Sequence, residues 1–340
     1  MRSLGCRLIQ IGGLIALLSE TPWLLADRRT AEPAVDGASV LWRNPGDLEK
    51  RNLFYGPGGK AHEPRGRHFT FVGEDLDGSN PKFDVRDDRG VKWKIKLGTE
   101  ARPETVASRL VWAVGYAADE EYFLREVQVD GLPPRVHRGR DMIGPDGSMR
   151  DVRLKRESER QKIGEWAWRA DPFAGSRELN GLRVLMAVIN NWDLKDVNNA
   201  VVLGHDHRSG APERVYEISD LGASFGSAGL ERTKRSNGSL DAYRRTAFIS
   251  RVTRDTVDFD VPRRADWIVL ANAPEFFRRL RLRWIGRGIP REDARWMGHL
   301  LARLSTDQIR DAFRAGGYAP ADVDAFVVVV QSRIAQLNRL

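Results

Sequence analysis

The chain has 340 residues, 41% hydrophobic and 30% charged, which is ordinary globular composition and long enough to build two compact parts around a cleft. Its single cysteine, Cys6, excludes an internal disulfide, and a chain starting near Asp27 would also lack any cysteine metal site or cysteine nucleophile. The net charge of +8 points to an anionic partner such as nucleotide phosphate, anionic lipid or an acidic polymer, while the absence of zinc-finger spacing and of clustered aromatic and basic residues argues against nucleic acid.

Arg2 and Arg7 precede an apolar run from Leu8 to Leu18, and the segment ends in Leu24-Leu25-Ala26. That is the layout of a signal peptide over residues 1–26 and predicts a periplasmic or secreted protein. The run is short for a bilayer crossing, so an uncleaved tether to the inner membrane is the second reading. Residues 27–66, rich in Pro, Gly and charge and including Tyr55-Gly-Pro-Gly-Gly59, read as an extended lead-in. From His68 the pattern changes. Phe69 and Phe71, then Phe83 and Val85, then Val91, Trp93, Ile95 and Leu97 alternate with polar residues, which predicts three strands. Turns at Asp77-Gly-Ser-Asn-Pro81 and Asp87-Asp-Arg-Gly90 make them a small antiparallel sheet. Pro103 opens a helix with Glu104 in its first turn, an apolar face of Val106, Leu110, Val111 and Val114, and Gly115 as its stop.

Residues 120–170 show no clear period, and Trp166 and Trp168 within them read as packing residues, as does Trp192. Leu179 to Ile189 reads as an apolar helix that runs into Asn190-Asn-Trp-Asp-Leu-Lys-Asp-Val-Asn-Asn199. A strand from Ala200 to Leu203, a hairpin turn over residues 204–210 and a strand from Val215 to Ile218 lead to Ser219-Asp-Leu-Gly222. His205 and His207 fall in that turn without a third ligand, so the H-x-H spacing reads as turn rather than metal site. Residues 223–262 read as a long loop and 264–340 as helices punctuated by Pro274, Pro290 and Pro320. Arginines recur on the polar faces of those helices, as a solvated face or, in the sharper reading, as a contact for an anionic surface.

Phosphoryl transfer needs phosphates held, one or two metal ions on oxygen ligands, and an acceptor hydroxyl oriented by a carboxylate, so its residues are Gly, Lys, Asp and Asn. Asp193-Leu-Lys-Asp-Val-Asn198 matches the D-L-K-x-x-N loop of protein kinases at its Asp, Leu, Lys and Asn, and Asp220-Leu-Gly222 matches D-F-G at both ends. Ile189-Asn-Asn-Trp-Asp193 also resembles the I-G-N-x-D-R-H-x-x-N loop of HipA-type kinases, and Asp-Leu-Gly with nearby Phe225-Gly226 resembles the metal motif of secretory-pathway kinases. The chain therefore resembles the atypical kinase superfamily that includes HipA-type, secretory-pathway and phosphatidylinositol kinases, over roughly residues 68–262.

That resemblance implies an α+β, two-lobed kinase-like fold, with an N-lobe and hinge region over 67–170 and a mainly helical C-lobe over 171–340. It implies Asp193 as the group that orients the acceptor, Asn198 and Asp220 as ligands of Mg2+ or Mn2+, and Lys96 on the α- and β-phosphates of ATP. Glu104, eleven residues before Gly115 as in the corresponding HipA-type helix, would pair with that lysine. Lys94 lies on the same strand face, so alternation leaves both lysines open, and alternating lysines can also be a solvated edge. Glu104 has a second reading as a charge favourable to a helix N-terminus. Gly78, Ser79 and Lys82 belong to the turn expected to cover the phosphates, which has one glycine where kinases have three. Leu194 and Lys195 stand where HipA-type and lipid kinases have Arg and His, closer to protein kinases, and the residue before Asp193 is Trp192 rather than Arg; Lys195 still supplies a cation for the transferred group. The implied function is an exported ATP-dependent kinase acting on a hydroxyl of a protein, lipid or glycan, and the alternative is a catalytically inactive nucleotide-binding or scaffold protein of the same fold.

Overall fold

The computed structural model describes residues 37–169, 172–206, 208–226, 236–261, 280 and 282–340; residues 1–26, read as a signal segment, and His207 lie outside them. Ala38–Val40 (β1) pairs in parallel with residues 213–215. Leu41, Leu48 and Leu53 are buried in the larger of two apolar cores, and Trp42 Nε1 donates to the Val114 carbonyl at 2.7 Å. From residue 37 the stretch read as an extended lead-in is thus held to the fold by a few apolar side chains at irregular spacing, which periodicity does not register.

His68–Asp75 (β2), Lys82–Arg86 (β3) and Lys92–Lys96 (β4) are the three strands that alternation predicts. They do not stop at a small antiparallel sheet. After a two-residue strand at Ala117–Ala118 (β5), Glu121–Asp130 (β6) and Ser148–Arg156 (β7) close them into a barrel in the order β2, β3, β4, β7, β6. The closing pair, β2 with β6, is parallel. Phe83, Val85, Trp93, Ile95, Met149 and Leu154 fill the barrel and form the smaller core. The two extra strands lack a readable period because Arg125 and Glu126 stand exposed in the middle of β6, while β7 turns at Asp151, whose φ is +51°, and buries the charged Arg153.

The first helix, Ala101–Ala113 (α1), starts two residues before Pro103, whose missing N–H costs nothing in a first turn. Gly115 follows its end with φ +104°, and a Cβ there would run into the Arg43 carbonyl, so glycine is required. α1 is buried on nearly all sides, and its apolar residues belong to the larger core rather than to the barrel. Lys162–Gly164 (β8), Asn199–His205 (β9) and Pro212–Ile218 (β10) extend the sheet that β1 joins, and Arg177–Val188 (α2) lies between β8 and β9 in sequence, capped by Ser176, whose hydroxyl accepts from Leu179 N. The turn after β9 forms as expected, with Asp206 N donating to the Ala211 carbonyl and Ser209 N to the Asp206 carboxylate.

The region read as a loop over 223–262 contains Leu240–Arg245 (α3) and the hairpin Ile249–Val252 (β11) and Thr256–Phe259 (β12), which Ile289–Pro290 (β13) joins as a third strand. The helices expected toward the end are Arg291–Ala302 (α4), Thr306–Ala315 (α5), opened by a Ser305 and Gln308 capping box, and Pro320–Asn338 (α6), with proline in its first turn. Several of their arginines have internal partners: Arg303 pairs with Glu49, Arg310 with Asp324, and the buried Arg333 donates to the Ala187 and Tyr243 carbonyls. The chain is a mixed α+β fold with six helices among the described residues, none of them long and apolar enough to cross a membrane.

Candidate active site

Strand β4 alternates Trp93 and Ile95 into the barrel, which turns Lys92, Lys94 and Lys96 to the opposite face. The three lysines have different fates. Lys92 is exposed and pairs with Glu157 at 3.1 Å. Lys94 Nζ lies 2.6 Å from Asp75 and 2.9 Å from Asp84. Lys96, with 1% of its side chain exposed, lies 2.8 Å from Glu104 Oε2, 2.7 Å from Asp220 Oδ1 and 3.0 Å from Glu100 Oε2. Of the two lysines that alternation left open, Lys96 is therefore the one that meets Glu104 and Asp220.

Glu104 is also buried, and its second oxygen accepts from Arg153 Nη2 at 3.1 Å. Arg153 reaches on to Glu121 Oε1, 3.5 Å from its Nε. Burial opposes the charge on Lys96, but Glu104, Asp220 and Glu100 outweigh it and hold the ammonium protonated well above the ordinary lysine range. Burial likewise works against Arg153, and Glu104 and Glu121 more than offset it. Asp220 shows the reverse balance: burial would raise it, yet Lys96 first, then Arg153 and Lys82, draw its carboxyl down to about 2. Its side chain remains 43% exposed, so one face is paired and the other is open to a ligand.

Asp220 sits in the left-handed region at φ +53°, at the turn where β10 ends. That turn is fixed from both sides. Ser219 donates through N at 3.0 Å and through Oγ at 2.9 Å to the Asn198 carbonyl, which joins the two loops singled out in the sequence. Phe225, also at positive φ, is fully buried against Tyr243, Phe313 and Phe326, and its N–H donates to the Ile189 carbonyl at 2.8 Å. Within the first loop Asn198 Nδ2 donates to the Asp193 carbonyl at 3.0 Å, leaving its Oδ1 as an oxygen donor, and Lys195 Nζ lies 3.0 Å from Asp193 Oδ2. Lys195 is thus tied to Asp193. Trp166, Trp168 and Trp192 are buried in the core, as packing residues should be.

Gly78 and Ser79 are exposed at the β2 to β3 turn, with Gly78 at φ +66°. Lys82 begins β3 directly opposite Lys96 in the ladder, and burial, helped by Lys96 and opposed by Asp75, lowers its pKa. The structure therefore brings Lys82, Lys96, Glu104 and Asp220 together and ties Asp193, Lys195 and Asn198 to them through residue 219. Sequence reasoning missed Arg153, for which a region without period offered no signal, and Glu100. Glu100 stands four residues from both Lys96 and Glu104, a spacing that becomes meaningful only once the helix start is placed at residue 101.

Asp220 has a half-exposed carboxylate beside Lys96, and Asn198, whose backbone carbonyl is bound by Ser219, has its Oδ1 left as a further oxygen donor. Among the described residues no three His, Cys, Asp or Glu side chains form a closed metal cage. Two oxygen donors suit Mg2+ or Mn2+, since Mg2+ is commonly held by one or two carboxylates together with substrate phosphates.

No family model matches the chain, and no curated protein matches it. Among solved structures the chain is similar to the crystal structure of a Helicobacter pylori proinflammatory kinase, CtkA, at 11% sequence identity and a TM-score of 0.42, over 80% of this chain and 96% of that one.

Proposed function

We propose that this chain is an exported kinase with a two-lobed, kinase-like fold, which transfers the γ-phosphoryl group of ATP to a hydroxyl of a protein, lipid or glycan. The observation that carries the reading is the contact of buried Lys96 and Glu104 with half-exposed Asp220, stapled through Ser219 to the loop of Asp193 and Asn198. Lys96 and Lys82 are the cations for the phosphates, and Glu104, held from behind by Arg153, keeps Lys96 beside Asp220. Asp220 and Asn198 would hold Mg2+ or Mn2+, which supplies charge neutralisation at the phosphates when bound.

Asp193 orients the acceptor hydroxyl and receives its proton. The acceptor oxygen forms a bond to the γ-phosphorus while the bond to the β,γ-bridging oxygen breaks, and ADP leaves with that electron pair. Lys195, beside Asp193, places a cation near the oxygens of the transferred group. The export part of the reading rests on residues 1–26 of the sequence.

A specific observation favours a second reading. Lys96 donates to Glu104 and Asp220 and is ion-paired with Glu100, an arrangement suited to a scaffold that carries the fold without turnover. Thermal unfolding with and without ATP and Mg2+ separates binding from non-binding, because a native-state ligand at a hundredfold excess over its Kd stabilises by about 2.7 kcal/mol. A shift that Asp220→Asn and Lys96→Met each abolish supports the nucleotide site. No shift with any nucleotide removes it.

A further inference from the structure

Glu100 has no part in the transfer step described above, yet four parts of the site meet on it. Its Oε2 lies 3.0 Å from Lys96 Nζ and also accepts from Asn80 Nδ2, in the turn between β2 and β3. Its Oε1 accepts from Asn237 Nδ2 at 3.3 Å. Its stem lies over Gly222, where a Cβ would stand 2.6 Å from Glu100 Cβ, so the glycine of Asp220-Leu-Gly222 is what makes room for this side chain. The carboxylate is largely enclosed, with 13% of the side chain exposed.

Three carboxylates crowd the Lys96 ammonium, which donates to Glu104 and Asp220 and lies 3.0 Å from Glu100. With 1% of the Lys96 side chain exposed, a phosphate oxygen can reach its ammonium only if one carboxylate leaves. Glu104 is buried and its other oxygen is bound by Arg153, so releasing it would strand charge inside the protein. Asp220 is fixed by the turn that Ser219 and Phe225 anchor. Glu100 differs from both: it stands just before the first turn of α1, and its other oxygen accepts from Asn237, so it can swing off Lys96 without being left unpaired.

We propose that Glu100 is a specificity-determining residue that covers the Lys96 ammonium and yields it only to a ligand carrying several phosphate charges together. The inference rests on the phosphate role of Lys96 proposed above. A lone phosphate meets a carboxylate of like charge at the position it needs, whereas a metal-bound triphosphate recovers the cost of displacing Glu100 through Lys82 and the open oxygens of Asp220 and Asn198. Asn80, released from one partner, leaves its turn free to settle over the incoming phosphates.

The test is calorimetric binding of Mg·ATP, Mg·tripolyphosphate and orthophosphate to the full chain, to Glu100→Gln and to Glu100→Ala, each first shown to unfold cooperatively. Removing one like charge beside the site should tighten the tripolyphosphate and ATP constants by roughly tenfold and make orthophosphate binding measurable. The gain should vanish when Lys96→Met is added to Glu100→Gln. A residue with only a structural role would leave binding unchanged or weaken it, and either result in a folded variant overturns the proposal, as does a gain that survives loss of Lys96. Tighter tripolyphosphate binding without any ATP binding would uphold the role of Glu100 and remove the nucleotide reading. ATP binding that is equal in wild type and both variants would do the opposite, and binding of neither ligand by any form would remove both.

Discussion

Lys96 and Asp220, 124 residues apart in sequence, meet at 2.7 Å. The contact joins the end of a barrel strand to the turn after β10, and it brings the two halves of the candidate chemistry onto one ammonium. Replacing Lys96 with methionine keeps the stem and deletes the charge, leaving Asp220 without its main counterion. On the account given above, phosphoryl transfer by Lys96→Met falls by about 10²-fold or more, the scale found when one preorganised charge-stabilising donor is lost. Initial rates with labelled ATP check this, with circular dichroism as a control for folding.

Arg153 is the support behind that pair. It is buried, it holds Glu104 on the side away from Lys96, and it lies beside Glu121. Arg153→Met leaves Glu104 with one cation fewer in a closed setting, and the cost is about 3 kcal/mol, as for other buried ion pairs that lose a partner. Urea unfolding of wild type and variant measures it.

Phe225 ties the Asp220 turn to α5 and α6 through its ring contacts with Phe313 and Phe326. Phe225→Ala empties a fully buried site and costs about 3–5 kcal/mol. Because the same residue anchors the turn, the activity of the folded fraction falls as well, and Phe225→Leu recovers part of both. Denaturant titration paired with single-turnover rates separates the two effects.

Glu121 gives the fold a pH dependence. Burial and the neighbouring Glu104 push its carboxyl up to about 8, Arg153 offsets only part of this, and its Oε2 has no hydrogen-bond partner. In the unfolded chain the same group ionises near its ordinary value of 4.5. Between those values the folded protein holds the extra proton, so stability falls as pH rises through the window and levels off above it. Glu121→Gln should match wild type near the acid end and unfold several degrees higher at the alkaline end. Thermal unfolding measured across that range tests the sign.

The sequence was most legible where one face of a strand or helix meets the core and the other does not. The first three barrel strands, α2 and the strands flanking the 204–210 turn follow their apolar spacing closely. The closing strands β6 and β7 did not show, because exposed Arg125 and Glu126 break one pattern and buried Arg153 inverts the other. Helix α3 and the β11–β12 hairpin were hidden for a related reason, being short elements whose order comes from long-range packing rather than local period. The loops of Asp193, Asn198 and Asp220 could be named from residue order. Glu100 and Arg153 could not, since their roles exist only once Lys96 and Glu104 are placed in space.

The central claim is that the cluster around Lys96 and Asp220 transfers phosphate. Incubation of the chain from residue 27 onward with γ-labelled ATP and Mg2+ or Mn2+ tests it most directly, followed as label on protein or as released phosphate. Metal-dependent transfer or hydrolysis that Asp220→Ala abolishes in a folded protein is the expected result. Activity that persists in Asp220→Ala would contradict it.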